Sequence, residues 1–205
     1  MITPLPLFHR WIPLCLLIWG LTVGLGLARL NAYGNTPGLA APAHSKWPSN
    51  TLIERGDETS TLLMFIHHQC PCTRASLREL ARITARRPHN LRVQVCVLQP
   101  CGERDIPSRS SLWQAASQIP GVILTLDPDG LEAQKFGALT SGHTFLYAKN
   151  GDLLFSGGIT AGRGHSGDNR GQAAILALTA DSCNVEFLDS HSSVFGCPLF
   201  VTSRP

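Results

Sequence analysis

Thr61-Leu62-Leu63-Met64-Phe65-Ile66-His67-His68-Gln69-Cys70-Pro71-Cys72-Thr73-Arg74-Ala75 holds the signals that decide the fold. The apolar run Leu62–Ile66 has the length and composition of a buried strand. Two cysteines follow, and helical spacing begins at once, so the sulfurs fall at a strand-to-helix turn. A helix N-terminus presents unpaired N–H groups and a partial positive charge, which favour thiolate over thiol and lower a cysteine pKa. Cys70 and Cys72 are therefore the leading candidates for reactive groups.

The spacing predicts a helix from Thr73 to about Arg87, with Leu77, Leu80, Ala81 and Thr84 on one face and Arg74, Arg78, Arg82 and Arg86 on the other. Pro88 ends it. Leu91–Leu98 alternates apolar and polar residues and reads as a second strand, which makes strand, helix, strand a right-handed βαβ unit with a parallel pair. A helix over Arg109–Gln118 and a short strand over Val122–Leu126 follow, separated by Pro120-Gly121. After the turn Asp127-Pro128-Asp129-Gly130 comes a short helix from Leu131 to Phe136. The segments 144–148 and 153–156 flank Asn150-Gly151, a strong hairpin signal. A last helix runs from about Arg170 to Thr179, with Asp168 or Asn169 able to cap it. The elements predict an α/β fold with a mixed sheet flanked by helices.

Trp11–Ala28 carries no charge and is bracketed by Arg10 and Arg29, the length of a short membrane-spanning helix. The reading is an anchor over residues 1–30. The alternatives are a signal peptide, whose best cleavage site would be Gly38-Leu39-Ala40, and a buried core helix. Residues 31–55, rich in Gly, Pro, Ala and Ser at their start, read as a flexible linker. The folded domain is expected over 56–180, and a tail over 181–205 holds Cys183 and Cys197. A chain of 205 residues that is 43% apolar can fill one core. The net charge of +3 comes largely from arginines spread over the helix after Cys72, without the basic stripe and aromatic interleaving of a nucleic-acid binder. Seven cysteines behind an export-type N-terminus suit an oxidising compartment, a bacterial periplasm or its equivalent.

The order of elements, with cysteines at the first strand-to-helix turn, resembles the thioredoxin-like fold over about residues 56–180. The block from Leu126 to Gly158 looks most like the membrane-tethered thiol-disulfide and peroxiredoxin-type branch. More narrowly, His-x-x-Cys-Pro-Cys-Thr-Arg-Ala, Ser141-Gly142-His143, Phe155-Ser156-Gly157-Gly158-Ile159-Thr160, the run Arg163–Asn169 and Phe195-Gly196-Cys197-Pro198-Leu199 are similar to the RedB-type thioredoxin-like proteins. Thioredoxin-type enzymes carry Cys-x-x-Cys and a cis-proline before the hairpin. Here the spacing is Cys-x-Cys around Pro71, and the position matching that proline is His143.

The expected activity is thiol-disulfide exchange with a protein thiol or disulfide and no cofactor. Cys70 attacks as thiolate, Cys72 resolves the mixed disulfide, and His143 stands beside them. A disulfide across one residue is geometrically tight and so readily reduced. The competing reading is a copper-binding chaperone or sensor, because two thiolates and an imidazole suit Cu(I), and a Cys pair with a His before the hairpin resembles the copper site of Sco-type proteins. An adaptor that kept the fold without turnover is a third class. His68 is a candidate for tuning the thiols or ligating, while His67 is expected in solvent, since neighbours in an extended chain point to opposite faces. Cys96 is expected to be a buried inert thiol and Cys15 inert in the apolar span. Cys101, past the end of the second strand, is a candidate third thiol. Cys197 either pairs with Cys183 or folds back toward Cys70 and Cys72 as resolving thiol or ligand. The Gly-rich run before the last helix reads as a connector, with anion binding as the alternative.

Overall fold

The structure is a computed structural model that describes residues 8–86, 91–102, 106–180 and 190–200. The chain divides into two units, one ending at Thr36 and the other beginning at Pro37. The first holds α1, Phe8–Asn35, whose 28 residues span about 40 Å at 1.5 Å per residue. Its Trp11–Asn35 portion is long and apolar enough to cross a membrane.

The second unit runs β1 (Ser60–His67), α2 (Thr73–Arg86), β2 (Leu91–Gln99), α3 (Ser111–Ser117), β3 (Val122–Pro128), α4 (Leu131–Phe136), β4 (His143–Tyr147), β5 (Leu153–Gly157) and α5 (Arg170–Leu178). The strands form one sheet in the order β3-β2-β1-β4-β5. The pairs β1–β2 and β2–β3 are parallel, while β1–β4 and β4–β5 are antiparallel. β1 is central, and all six residues from Thr61 to Ile66 are buried because both faces of the sheet are covered.

Side chains of alternate parity separate two cores. On one face Leu62, Met64, Ile66, Val93, Val95 and Val97 pack against Leu77, Leu80 and Ile83 of α2, Leu112 and Ala116 of α3, and Ile175 of α5. On the other, Leu63, Phe65, Cys96, Leu98, Phe145 and Tyr147 pack against Ala133 and Phe136 of α4. The predicted helix over Arg109–Gln118 is split. A 3-10 turn occupies Pro107–Arg109, and α3 begins only after Ser110, whose side chain accepts the N–H of Trp113 at 3.1 Å. Asn169 caps α5 by accepting from the N–H of Gln172 at 2.8 Å.

The segment read as a linker from its composition follows the domain from residue 37. Trp47 makes edge contacts to Phe136 and Tyr147 with centroids 5.1 Å apart, the Trp47 N–H donates to the Gly151 carbonyl at 2.8 Å, and Ile53 is buried in the second core. One large aromatic and one aliphatic residue anchor a stretch that otherwise has no apolar period.

In the tail, residues 181–189, with Cys183, lie outside the described residues. The part from Ser190 to Phe200 crosses the domain. Ser190 and Ser192 pair with Ser156 at the free edge of β5, Leu199 enters the second core, and Phe200 packs against its border.

Candidate functional site

β1 leaves the sheet at His67, and two successive turns close before α2, with the Cys70 N–H bonded to the His67 carbonyl at 3.1 Å and the Thr73 N–H to the Cys70 carbonyl at 3.2 Å. Cys70 and Cys72 thus stand at the N-terminal end of α2, as the sequence predicts, and both are buried. A buried hydroxyl pair underpins the turn. Thr73 Oγ1 and Ser141 Oγ are 2.7 Å apart, and Ser141 Oγ accepts the His67 N–H at 2.8 Å. These hydroxyls fasten the cysteine turn to the loop before β4.

The tail comes to the same point. The backbone N–H of Cys197 donates to Cys70 Sγ at 3.4 Å. Burial alone pushes the Cys70 thiol up, but hydrogen bonds from Thr73 and Cys197, by side chain and by backbone, outweigh it and hold the thiol below its ordinary value. Burial and then the neighbouring Cys70 charge push the Cys72 thiol up, with Arg163 acting against them. Cys197 is pushed up to about 12, first by burial and then by its hydrogen bond to Cys70 and the Cys70 and Cys72 charges, again against Arg163. One thiolate is thus favoured, beside two thiols whose thiolates are disfavoured.

Arg163 was not among the expected site residues. It lies in the Gly-rich run read as a connector, donates to the Gly196 carbonyl, and acts on both Cys72 and Cys197. Its loop is tied to α2 through the buried Glu79, whose carboxylate accepts the Gly167 N–H at 2.8 Å and the Gln172 amide at 2.9 Å. The run that begins with Arg163 is marked only by its likeness to the RedB-type proteins. Only the fold brings residues 72, 163 and 197 together.

His143 takes a different place from the one expected. It opens β4 on the same parity as Phe145 and Tyr147, so its ring turns into the second core and stacks on Phe145 with centroids 4.2 Å apart. Its Nε2 lies 3.0 Å from Ser156 Oγ, and burial holds its pKa down to about 4. Among the described residues no group of three or more His, Cys, Asp or Glu side chains is placed to hold a metal ion.

His68 is buried and stacks on His67 with centroids 5.0 Å apart and planes 13° from parallel. The alternation expected of an extended chain ends with β1 at His67, so the two rings are neighbours rather than opposed. Cys101 is exposed, its N–H donating to Asp129 Oδ1 at 2.6 Å, and the groups acting on the Cys70, Cys72 and Cys197 thiols do not include it. Cys96 is buried in β2, where burial raises its pKa well above the ordinary value.

No protein-family model and no curated protein sequence matches the chain. Solved structures do. An uncharacterized conserved protein from Geobacillus kaustophilus overlays with a TM-score of 0.55 at 14% identity, covering 83% of this chain and 95% of that one. A hypothetical protein from Sinorhizobium meliloti overlays at 0.52 with 19% identity, covering 80% and 93%. A looser overlay, 0.42 at 18% identity over 60% and 84%, is found with the exposed lipoprotein thioredoxin of Streptococcus pneumoniae. A five-stranded mixed sheet in the order β3-β2-β1-β4-β5, flanked by helices and with its cysteine pair at the first strand-to-helix turn, gives this chain the thioredoxin-like fold.

Proposed function

We propose that this protein is a membrane-anchored thiol-disulfide exchange protein of the RedB type, held by α1 with its domain in the periplasm or an equivalent extracytoplasmic space. The observation that carries the reading is the state of Cys70. It is a thiol held below its ordinary pKa by hydrogen bonds at the start of a helix, with further thiols in reach. In that reading the Cys70 thiolate attacks one sulfur of a protein disulfide, forming a mixed disulfide and releasing the other sulfur as thiolate. A second thiol of the site, of which Cys72 is the one supplied by the motif, then displaces the substrate sulfur from Cys70. The substrate disulfide gains two electrons, and the protein's dithiol becomes a disulfide.

The test is exchange with oxidised glutathione and with a disulfide-bonded reporter protein, using the full chain in detergent. Cys70→Ser is expected to abolish mixed-disulfide formation and reporter reduction, whereas Cys101→Ser leaves both unchanged. Turnover by Cys70→Ser equal to the natural protein removes the reading, and a folded chain inert in every form points to an adaptor.

A further inference from the structure

The tail segment Gly196-Cys197-Pro198 meets the loop before β4 as a short antiparallel ladder. The Ser141 N–H donates to the Cys197 carbonyl at 2.8 Å and the Leu199 N–H to the Leu139 carbonyl at 2.9 Å, with Thr140 and Pro198 opposite each other. Pro198 thus sits at the one position of this ladder where no N–H is required. Gly196 passes so close that a Cβ there would lie 1.9 Å from the Ser141 carbonyl oxygen. Each residue of the segment fits a constraint of the docking, and the outcome is that Cys197 is delivered onto Cys70, which is 1% exposed beneath it.

We propose that Cys197 is the resolving thiol of this site, held against Cys70 by the docked tail. The inference rests on the thiol-disulfide exchange proposed above. Cys70 and Cys72 are joined through Pro71 alone, and the proline ring fixes one of the torsions available to close so small a loop. Cys197 arrives on a separate segment and faces no such ring. The electrostatics also change in its favour at the right moment. Burial holds the Cys197 proton in place, and while Cys70 is a thiolate its hydrogen bond and its charge add to that hold, with Arg163 opposing. Once Cys70 is bonded to a substrate sulfur that charge and hydrogen bond are gone, so the Cys197 thiolate is opposed by less than before, with Arg163 still favouring it.

The step balances. Cys70 S⁻ attacks the substrate disulfide, the Cys70–substrate bond forms, and the departing substrate thiolate takes up a proton. Cys197 gives up its proton and attacks Cys70 Sγ. The Cys70–Cys197 bond forms, and the second substrate sulfur leaves as thiolate. Two electrons pass from the Cys70–Cys197 pair to the substrate disulfide.

The experiment treats the reduced full chain in detergent with oxidised glutathione, quenches with an alkylating agent and maps disulfides by mass spectrometry of non-reduced peptides. Cys72→Ser is expected to yield the Cys70–Cys197 cross-linked peptide. Adding Cys197→Ser to it should replace that peptide with glutathione retained on Cys70. Cys72→Ser that keeps glutathione on Cys70 while Cys197 takes the alkylating label, or pairs with Cys183, overturns the proposal and leaves the exchange reading standing. No glutathione on Cys70 in the double variant overturns both. Hydrogen exchange at Ser141 and Leu199 verifies that the ladder is intact in each variant.

Discussion

Cys70 takes a hydrogen bond from the backbone N–H of Cys197, 127 positions further along the chain, at 3.4 Å. The contact sets an order of reactivity among sulfurs that lie close together. In the reduced protein, Cys70 is expected to alkylate at a lower pH than Cys72 or Cys197, since hydrogen bonds favour its thiolate whereas burial and the Cys70 charge disfavour theirs. Rates of iodoacetamide labelling, resolved by peptide across pH 5 to 10, measure this. Equal apparent pKa values at the three sites would contradict it.

Gly196→Ala places a methyl group against the Ser141 carbonyl, where a Cβ has 1.9 Å. The tail cannot keep its ladder at that separation. Faster hydrogen exchange at the Ser141 and Leu199 amides is expected, with a loss of about 1–3 kcal/mol in unfolding free energy. Unchanged exchange at both amides would show that the docking tolerates a side chain.

Arg163→Ala removes a cation that favours both the Cys72 and Cys197 thiolates, together with the bond to the Gly196 carbonyl. In a Cys70→Ser background, labelling of Cys72 should shift to higher pH. Arg163→Lys, which keeps the charge and loses the fork, should restore part of that shift without restoring slow exchange in the tail.

His143 gives the fold a pH dependence of its own. Its folded pKa is about 4 against 6.5 for the free group, because burial disfavours the imidazolium. The stabilisation is therefore complete above pH 6.5 and is lost as pH falls through about 4, amounting to about 3 kcal/mol between those limits. Denaturant midpoints measured from pH 7 to 4 should fall accordingly, and His143→Gln should flatten that part of the curve. An unchanged slope would mean that the ring is solvated.

Glu79→Ala leaves the half-buried Gly167 N–H and the buried Gln172 amide without their acceptor. A cost of about 3 kcal/mol is expected in denaturation. The loop that carries Arg163 should loosen with it, which hydrogen exchange over residues 162–169 would register.

Much of this architecture was legible because local signals agreed with the fold. The β1–α2 junction combines an apolar run with an immediate change of period, and Asn150-Gly151 announces its hairpin. Other features were written at long range. Ser110 is an ordinary residue until its side chain caps α3 and shortens the predicted helix. The stretch around Trp47 has linker composition, and only the aromatic pocket of Phe136 and Tyr147 explains its course. His143 was placed by its offset from the hairpin, although its parity with Phe145 and Tyr147 already directs the ring away from the α2 face. Cys197 was left between two destinations because nothing near it in the chain says which sulfur it meets.

That long separation also imposes a timetable. A chain made from its N-terminus presents Cys70 well before residue 197 exists; at roughly 5–20 residues per second, 127 residues take on the order of ten seconds. Throughout that interval Cys70 has Thr73 beside it but lacks the two hydrogen bonds from Cys197 that also favour its thiolate, so a half-made domain carries a less activated sulfur. The full set of hydrogen bonds at Cys70 arrives only with the tail, after every strand of the sheet has been made.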